Sequence, residues 1–202
     1  MKFVLASQNP GKLREMRGIL SGLGVEVVLP SELGLHVDVE ETGTTFAENA
    51  LLKARAVAQA SGLAAIADDS GLCVDALGGA PGVYTARYGG PGLDDAGRCR
   101  LLLRNMHGLS PRTCHFESAI ACVFPDGTVL TAAGRCDGTV AYAPMGTDGF
   151  GYDPIFFVPR LKKTFAQLTA EEKNEISHRG QALRAFQETL TAYLARREKE
   201  TE

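Results

Sequence analysis

Two adjacent carboxylates, Asp68 and Asp69, follow the apolar run Ala64-Ala-Ile-Ala67 and precede Ser70-Gly71. The run reads as a short buried strand. A carboxylate at the carboxyl end of such a strand is poorly solvated unless a metal ion, a cation or hydrogen-bond donors compensate it. Asp68 and Asp69 are therefore candidates for metal or acid–base chemistry, with turn or capping carboxylates as the plain alternative. If the backbone stays extended, their side chains point to opposite sides, so one of them faces a ligand. Six glycines between Gly71 and Gly90 point to tight turns and close backbone approach, either to a ligand or to neighbouring structure.

A second constellation is Ser7-Gln-Asn-Pro-Gly-Lys12. It follows an apolar stretch, residues 2–6, that reads as a first strand, and it precedes Leu13, Met16, Ile19 and Leu20 at helical spacing. Asn9 fits an N-cap with Pro10 at the first helical position, an arrangement that aims free backbone N–H groups and Lys12 at one point. That is a phosphate cradle by the physics of helix N-termini. It is not a P-loop, because Leu13 stands where the Walker pattern needs Ser or Thr. An ordinary capped helix fits the same residues.

Other polar groups stand at suggestive places. Glu40 and Glu41 precede the second helix, where such a pair also serves simply as favourable dipole charge. Lys53 lies on that helix, and a surface lysine is its simplest reading. Phe150-Gly-Tyr-Asp153 offers a ring, a glycine and a carboxylate that suit either base stacking or core packing. Lys173 and the pair His178-Arg179 lie near a helix start, where cations need an anion or polar ligand beside them. Together, Lys12, Lys53, Lys173 and Arg179 with Glu41, Asp68 and Asp69 describe a polyphosphate site that holds a divalent ion. Mg²⁺ prefers carboxylate and phosphate oxygens, and the chain has no His/Cys ligand cluster.

The elements that must position these groups alternate between strand and helix. Strands are expected at residues 25–29, 64–67 and 72–74, with a turn between the last two. The first helix ends at Gly22 and Gly24. Thr45-Phe-Ala-Glu48 is a capping box that opens a helix with Ala50, Leu51, Ala54, Val57 and Ala58 along one stripe. A third helix spans residues 94–106. Residues 115–124 alternate Phe116, Ser118, Ile120, Cys122 and Phe124 on one face and turn through Pro125-Asp-Gly-Thr128 into a hairpin. An aromatic strand is expected over 149–158. A capping box at Thr169-Ala-Glu-Glu172 and a break at Ser177-His-Arg-Gly180 precede a long closing helix, whose tail, 196–202, reads as frayed.

Length and composition bound the rest. The 202 residues suffice for one domain that buries a sizeable core. A net charge of −3 and a pI near 5.8 argue against nucleic-acid and membrane-surface binding. Five cysteines without a C-x-x-C pair fit reduced thiols in a cytoplasmic protein. The start of the chain lacks a signal-peptide pattern, and no apolar run reaches transmembrane length.

Taken in order, Ser7-Gln-Asn-Pro-Gly-Lys12, Glu41-Thr-Gly-Thr-Thr-Phe-Ala-Glu-Asn-Ala50, Ala67-Asp-Asp-Ser-Gly71, Gly78-Gly-Ala-Pro-Gly82, Thr85-Ala-Arg-Tyr88, Phe150-Gly-Tyr-Asp-Pro154 and Ile176-Ser-His-Arg-Gly180 resemble the inosine triphosphate pyrophosphatase family over nearly the whole chain. Gln8 stands where that family commonly has glycine. The resemblance implies an α/β fold with a mixed central sheet, flanking helices and two lobes around a nucleotide cleft, usually in a homodimer. It implies Mg²⁺-dependent hydrolysis of ITP, dITP and XTP to the monophosphate and pyrophosphate. Asp69 would be general base and metal ligand, with Asp68 and Glu40 or Glu41 supporting the metal. Ser7, Gln8, Asn9, Pro10, Gly11, Lys12, Lys53, Ser70 and Lys173 would contact the substrate. Phe150, Gly151, Tyr152, Asp153, His178 and Arg179 would frame the base, with Arg179 donating to the keto oxygen at purine position 6. A related pyrophosphatase with another base preference, such as the sister family linked to septum formation, and a non-catalytic nucleotide sensor are the rival readings.

Overall fold

A computed structural model of the chain describes residues 1–7, 9–20 and 24–201. The expected substrate contact at Gln8 and the helix end at Gly22 lie outside the described residues. Seven strands form one mixed sheet in the order β2-β1-β3-β4-β5-β6-β7. They are β1 (Lys2–Leu5), β2 (Glu26–Val28), β3 (Ala64–Val74), β4 (Thr113–Val123), β5 (Val129–Val140), β6 (Phe156–Val158) and β7 (Lys163–Thr164). Among the described residues, five α-helices accompany them: α1 (Pro10–Leu20), α2 (Phe46–Ser61), α3 (Asp95–Asn105), α4 (Ala170–Ile176) and α5 (His178–Thr201). β1 pairs in parallel with β2 and with β3, while β6 runs antiparallel to β5 and β7. The α/β class and the mixed sheet agree with the sequence reading.

The chain divides into two compact units, Met1–Asp69 with Ser118–Gly134 and Arg179–Glu202, and Ser70–Glu117 with Arg135–His178. The first has a core of Phe3, Leu5, Met16, Leu20, Ile66, Ile120, Leu183 and Phe186, all at most 1% exposed. The second is built on Leu72, Leu102, Met106, Ile155, Phe156 and Phe165. Phe116, Phe156 and Phe165 form a ring cluster there with centroids 4.5–5.8 Å apart. Each fully buried side chain of this size contributes about 1.5–3 kcal/mol of transfer free energy.

Local chemistry sets the helix starts. Thr45 and Glu48 form a reciprocal capping box at α2, and Thr169 and Glu172 form another at α4. Gly62 then ends α2 in the left-handed region that its lack of a Cβ allows. Ser177 separates α4 from α5, where the break was expected.

Several expectations need correction. β3 does not stop at Asp68-Asp69: it runs unbroken from Ala64 to Val74, so the expected turn is absent and both carboxylates sit in mid-strand. Residues 149–158 are mainly turn and 3₁₀ structure, with strand only at Phe156–Val158. The tail does not fray at residue 196, because α5 continues to Thr201 and Arg197 pairs with Asp126 at 2.9 Å. The glycine-rich segment is mostly a matter of backbone dihedrals. Gly78, Gly79, Gly82 and Gly90 have positive φ with open space where a Cβ would project, whereas at Gly89 a Cβ would strike Leu101. Among the described residues, no helix is long and apolar enough to cross a membrane.

Candidate active site

Residues singled out in the sequence fall into two groups, one in each unit. In the first unit, α1 begins as expected, with Asn9 as its cap. Asn9 Oδ1 accepts from Gly11 N at 2.8 Å and from Lys12 N at 3.3 Å, while Ser7 Oγ accepts from Asn9 N at 3.2 Å. These bonds engage the amides that the cradle reading left free for an anion. Pro10 has no N–H to offer. What α1 delivers is the Lys12 side chain, in its first turn.

Lys12 Nζ meets Asp68 Oδ2 at 2.9 Å and the Asp68 carbonyl at 3.1 Å. The opposite oxygen of Asp68 accepts from Ser118 Oγ of β4. Arg179, from the first turn of α5, donates to Asp68 Oδ2 through Nε at 3.2 Å and Nη2 at 3.1 Å, and its Nη1 binds Glu15 of α1. Asp68 is completely buried and Arg179 is 2% exposed. Burial alone would raise the Asp68 pKa, but Arg179 and then Lys12 outweigh it and hold the carboxyl well below its usual range. Burial pulls Lys12 down despite Asp68, with Arg179 and Lys53 adding repulsion. Arg179 goes up, because Asp68 and Glu15 outweigh its burial.

Asp69 has a different environment. Lys53 Nζ, from the middle of α2, lies 2.6 Å from Asp69 Oδ1, 2.8 Å from Glu41 Oε1 and 3.2 Å from the Asp68 carbonyl. Lys12 and Lys53 therefore share one backbone oxygen, and two carboxylates converge on one ammonium. Burial raises the Asp69 pKa more than Lys53 lowers it, and Glu41 adds to the rise. Lys53 is also raised, because Asp69 and Glu41 together outweigh its burial. The two shifts are compatible, since Lys53 faces two anions and Asp69 has a second anion beside its cation. The alternation expected of an extended strand is realised: Asp68 belongs to Arg179 and Ser118, Asp69 to Lys53.

In the second unit, Asp153 Oδ2 accepts from Lys173 Nζ at 2.7 Å and from Phe150 N at 2.9 Å. Lys173 is only 6% exposed and lies 4.8 Å from the Phe150 ring centroid and 5.8 Å from that of Phe165. Gly149 adopts a φ of 78°, and a Cβ there would strike Asp153 Oδ2. The loop is held from outside as well. Gly151 N donates to Asp95 Oδ2 at 2.7 Å, and Tyr152 OH donates to the Thr85 carbonyl at 3.1 Å. Tyr152 is thereby a core residue, its phenol pushed upward by burial. Phe150 is half-buried.

Lys12, Lys53, Glu41, Asp68, Asp69 and Arg179 are thus brought together, as are Phe150, Gly151, Asp153 and Lys173. Glu40 is exposed, and Ser70 is a half-buried residue of β3. The His178 ring stacks on Phe116, with centroids 4.6 Å apart and planes at 11°. Arg179 does not stand as an open donor for a base, because two carboxylates engage it. Sequence reasoning missed Glu15, Ser118 and Asp95. Glu15 lies three residues after Lys12 on one helix face, a spacing that could have flagged it; Ser118 and Asp95 gave no local signal.

Comparison with known proteins places this fold in a class. The chain matches the Ham1 family over residues 3–189. It is 47% identical over 194 residues to a dITP/XTP pyrophosphatase of Exiguobacterium sp., covering 96% of this chain and 99% of the relative. A dITP/XTP pyrophosphatase of Streptomyces coelicolor is 50% identical over 189 residues, with 92% and 94% covered. The solved structure of a HAM1 protein from Coxiella burnetii is 44% identical, with a TM-score of 0.88 over 95% of this chain and 99% of that one. The Staphylococcus aureus Ham1 protein is 42% identical, with a TM-score of 0.87 over 96% of this chain and 100% of that one. The chain belongs to the Ham1 family.

Proposed function

We propose that this protein hydrolyses non-standard purine nucleoside triphosphates such as dITP, ITP and XTP to the nucleoside monophosphate and pyrophosphate. Relatives of nearly the same length carry the name dITP/XTP pyrophosphatase. The observation that carries the reading is Lys53, held between Asp69 and Glu41 with Lys12 on the same carbonyl. Lysines here offset phosphate charge, and the Asp69 carboxylate beside Lys53 is placed to take a proton from attacking water. Asp69 is our general base.

The first unit's cluster sets three cations, Lys12, Lys53 and Arg179, against four carboxylates, Glu15, Glu41, Asp68 and Asp69. One formal negative charge remains, so a triphosphate needs a further cation to bind. The donor set fits Mg²⁺, which is commonly held by one or two carboxylates plus substrate phosphates. Among the described residues no group of three or more His, Cys, Asp or Glu side chains could hold a metal ion. Asp69 and Glu41 would hold it. When bound, it offsets negative charge on the phosphates flanking the scissile bridge. Asp68, saturated by protein donors, anchors Lys12 and Arg179 in our reading rather than serving as a ligand.

For base choice we assign Phe150 as the stacking surface and Lys173, fixed by Asp153, as the donor to the keto oxygen at purine position 6. Adenine offers an amino group there, and two opposed donors in a buried place are heavily penalised. The test is to compare kcat/KM for ITP, XTP, ATP and GTP with Mg²⁺. The reading expects ITP and XTP to exceed ATP by at least about 100-fold; equal turnover of ATP would dispose of the selectivity claim.

A further inference from the structure

An unassigned polar feature lies in the first turns of α2. Asn49 is completely buried, and its Oδ1 accepts the Gly43 N–H at 2.8 Å. Glu48 Oε2 takes the Thr44 amide at 2.7 Å and the Thr45 amide at 3.1 Å. Two side chains of α2 therefore fix three successive amides of the strap that precedes it. Gly43 completes the fit, because a Cβ there would lie 2.6 Å from Asn49 Oδ1 and 2.7 Å from Glu48 Cβ. Only glycine lets the strap seat this closely.

Two residues earlier in the strap is Glu41, whose carboxylate meets Lys53 at 2.8 Å. Lys53 lies four residues beyond Asn49, on the same face of α2. The strap is thus pinned to one helix face at two points, Gly43 on Asn49 and Glu41 on Lys53. Among the described residues, Asn49 Nδ2 is buried without a hydrogen-bond partner, an unfavourable arrangement that aspartate would avoid while still accepting from Gly43. Aspartate, however, would set another anion one turn from Lys53, in competition with Glu41 and Asp69. A neutral acceptor at this position keeps the ammonium on those two carboxylates.

We propose that Asn49, acting with Gly43, is a positioning residue that fixes Glu41 beside Asp69. The inference rests on the reading of Glu41 and Asp69 as the carboxylates for a divalent cation. It is tested on the full chain by hydrogen exchange at the 41 and 43 amides, and by calorimetric titration of Mg²⁺ in the presence of pyrophosphate. Asn49→Ala is expected to speed exchange at both amides at least tenfold and to weaken Mg²⁺ by about 10–100-fold, the scale seen when support of a metal ligand is removed. Gly43→Ala should reproduce both effects from the other side of the bond. Asn49→Asp, which keeps the acceptor, should restore slow exchange at Gly43. Faster Gly43 exchange in Asn49→Ala with Mg²⁺ affinity within twofold of wild type would overturn the assignment and leave a purely structural clamp. Should Asn49→Ala not fold, the wild-type protein decides: Mg²⁺ is expected to slow exchange at Gly43, and unchanged exchange overturns the proposal. Absence of any Mg²⁺ binding by the wild-type protein would instead sink the cation reading. The positioning claim would then stand on exchange at Glu41 in the alanine variant, and unchanged exchange there would refute it.

Discussion

Asp68→Asn removes the negative charge on which Lys12 and Arg179 converge, while leaving a side chain of nearly the same shape. Both oxygens of Asp68 are engaged, by Ser118 on one side and by Arg179 and Lys12 on the other. Neutralising it leaves the half-buried Lys12 with the Asp68 carbonyl, while Arg179 keeps Glu15. Breaking a buried ion pair from one side costs about 3–5 kcal/mol, and the remaining Glu15 contact argues for the lower end. For a chain of this length each kcal/mol moves the melting temperature by about 2–4 °C, so a fall of roughly 6–12 °C is expected at that lower end. Urea unfolding at pH 7, followed by circular dichroism, should show a lower midpoint with an unchanged m-value. Adding Lys12→Met should recover part of the loss, because the unpaired cation is removed with its partner.

The pH dependence has a definite sign. The Asp68 carboxyl is depressed below its ordinary value of 3.8, so its contribution is present above that pH and is lost as pH falls through the folded value. Wild type and Asp68→Asn should differ most above about pH 4 and converge in stronger acid. A loss below about 1 kcal/mol at pH 7, or curves that stay parallel into acid, would refute the buried-network argument.

Three further outcomes follow from the same structure. Asp69→Asn should lower kcat by about 100–10,000-fold, the usual contribution of a general base, while calorimetry still detects nucleotide binding; near wild-type kcat would remove Asp69 from the chemistry. Lys173→Met should narrow the kcat/KM ratio of ITP to ATP by at least tenfold, whereas a uniform loss on both substrates would indicate a structural role for the Asp153–Lys173 pair. Burial pushes the Cys122 thiol up to about 12 from an ordinary 9.0, so its stabilising contribution is intact below pH 9 and is lost as pH rises towards 12. Native protein should resist alkylation at Cys122 at pH 8, and rapid labelling without unfolding would contradict that burial.

Much of the fold could be read from local chemistry. The caps at Asn9, Thr45 and Thr169 and the break at Ser177 are signalled within a few residues, and all four stand where expected. The misreadings occurred where local signals oppose tertiary ones. Asp-Asp-Ser-Gly in mid-strand looks like the end of a strand, yet Lys12, Lys53, Ser118 and Arg179 compensate the carboxylates and the ladder continues. Residues 149–152 are aromatic enough for a strand, but positive φ at Gly149 and Gly151 and the Asp153 bond to the Phe150 amide make them a turn. The candidate site was legible as a set of residue types. Its pairing was not, because Glu15 and Arg179 are separated by 164 positions and Asp68 and Ser118 by 50. The helix start at Asn9 shows a subtler gap: the cap that identifies it also takes the amides that the anion-cradle reading left free.

The central claim is that this arrangement of lysines and carboxylates cleaves between the α- and β-phosphates of a keto purine nucleotide. It is tested most directly by incubating the full chain with ITP and Mg²⁺ and identifying the phosphate product by ³¹P NMR. Inosine monophosphate and pyrophosphate in equal amounts are expected, with no early orthophosphate; inosine diphosphate with orthophosphate would contradict it.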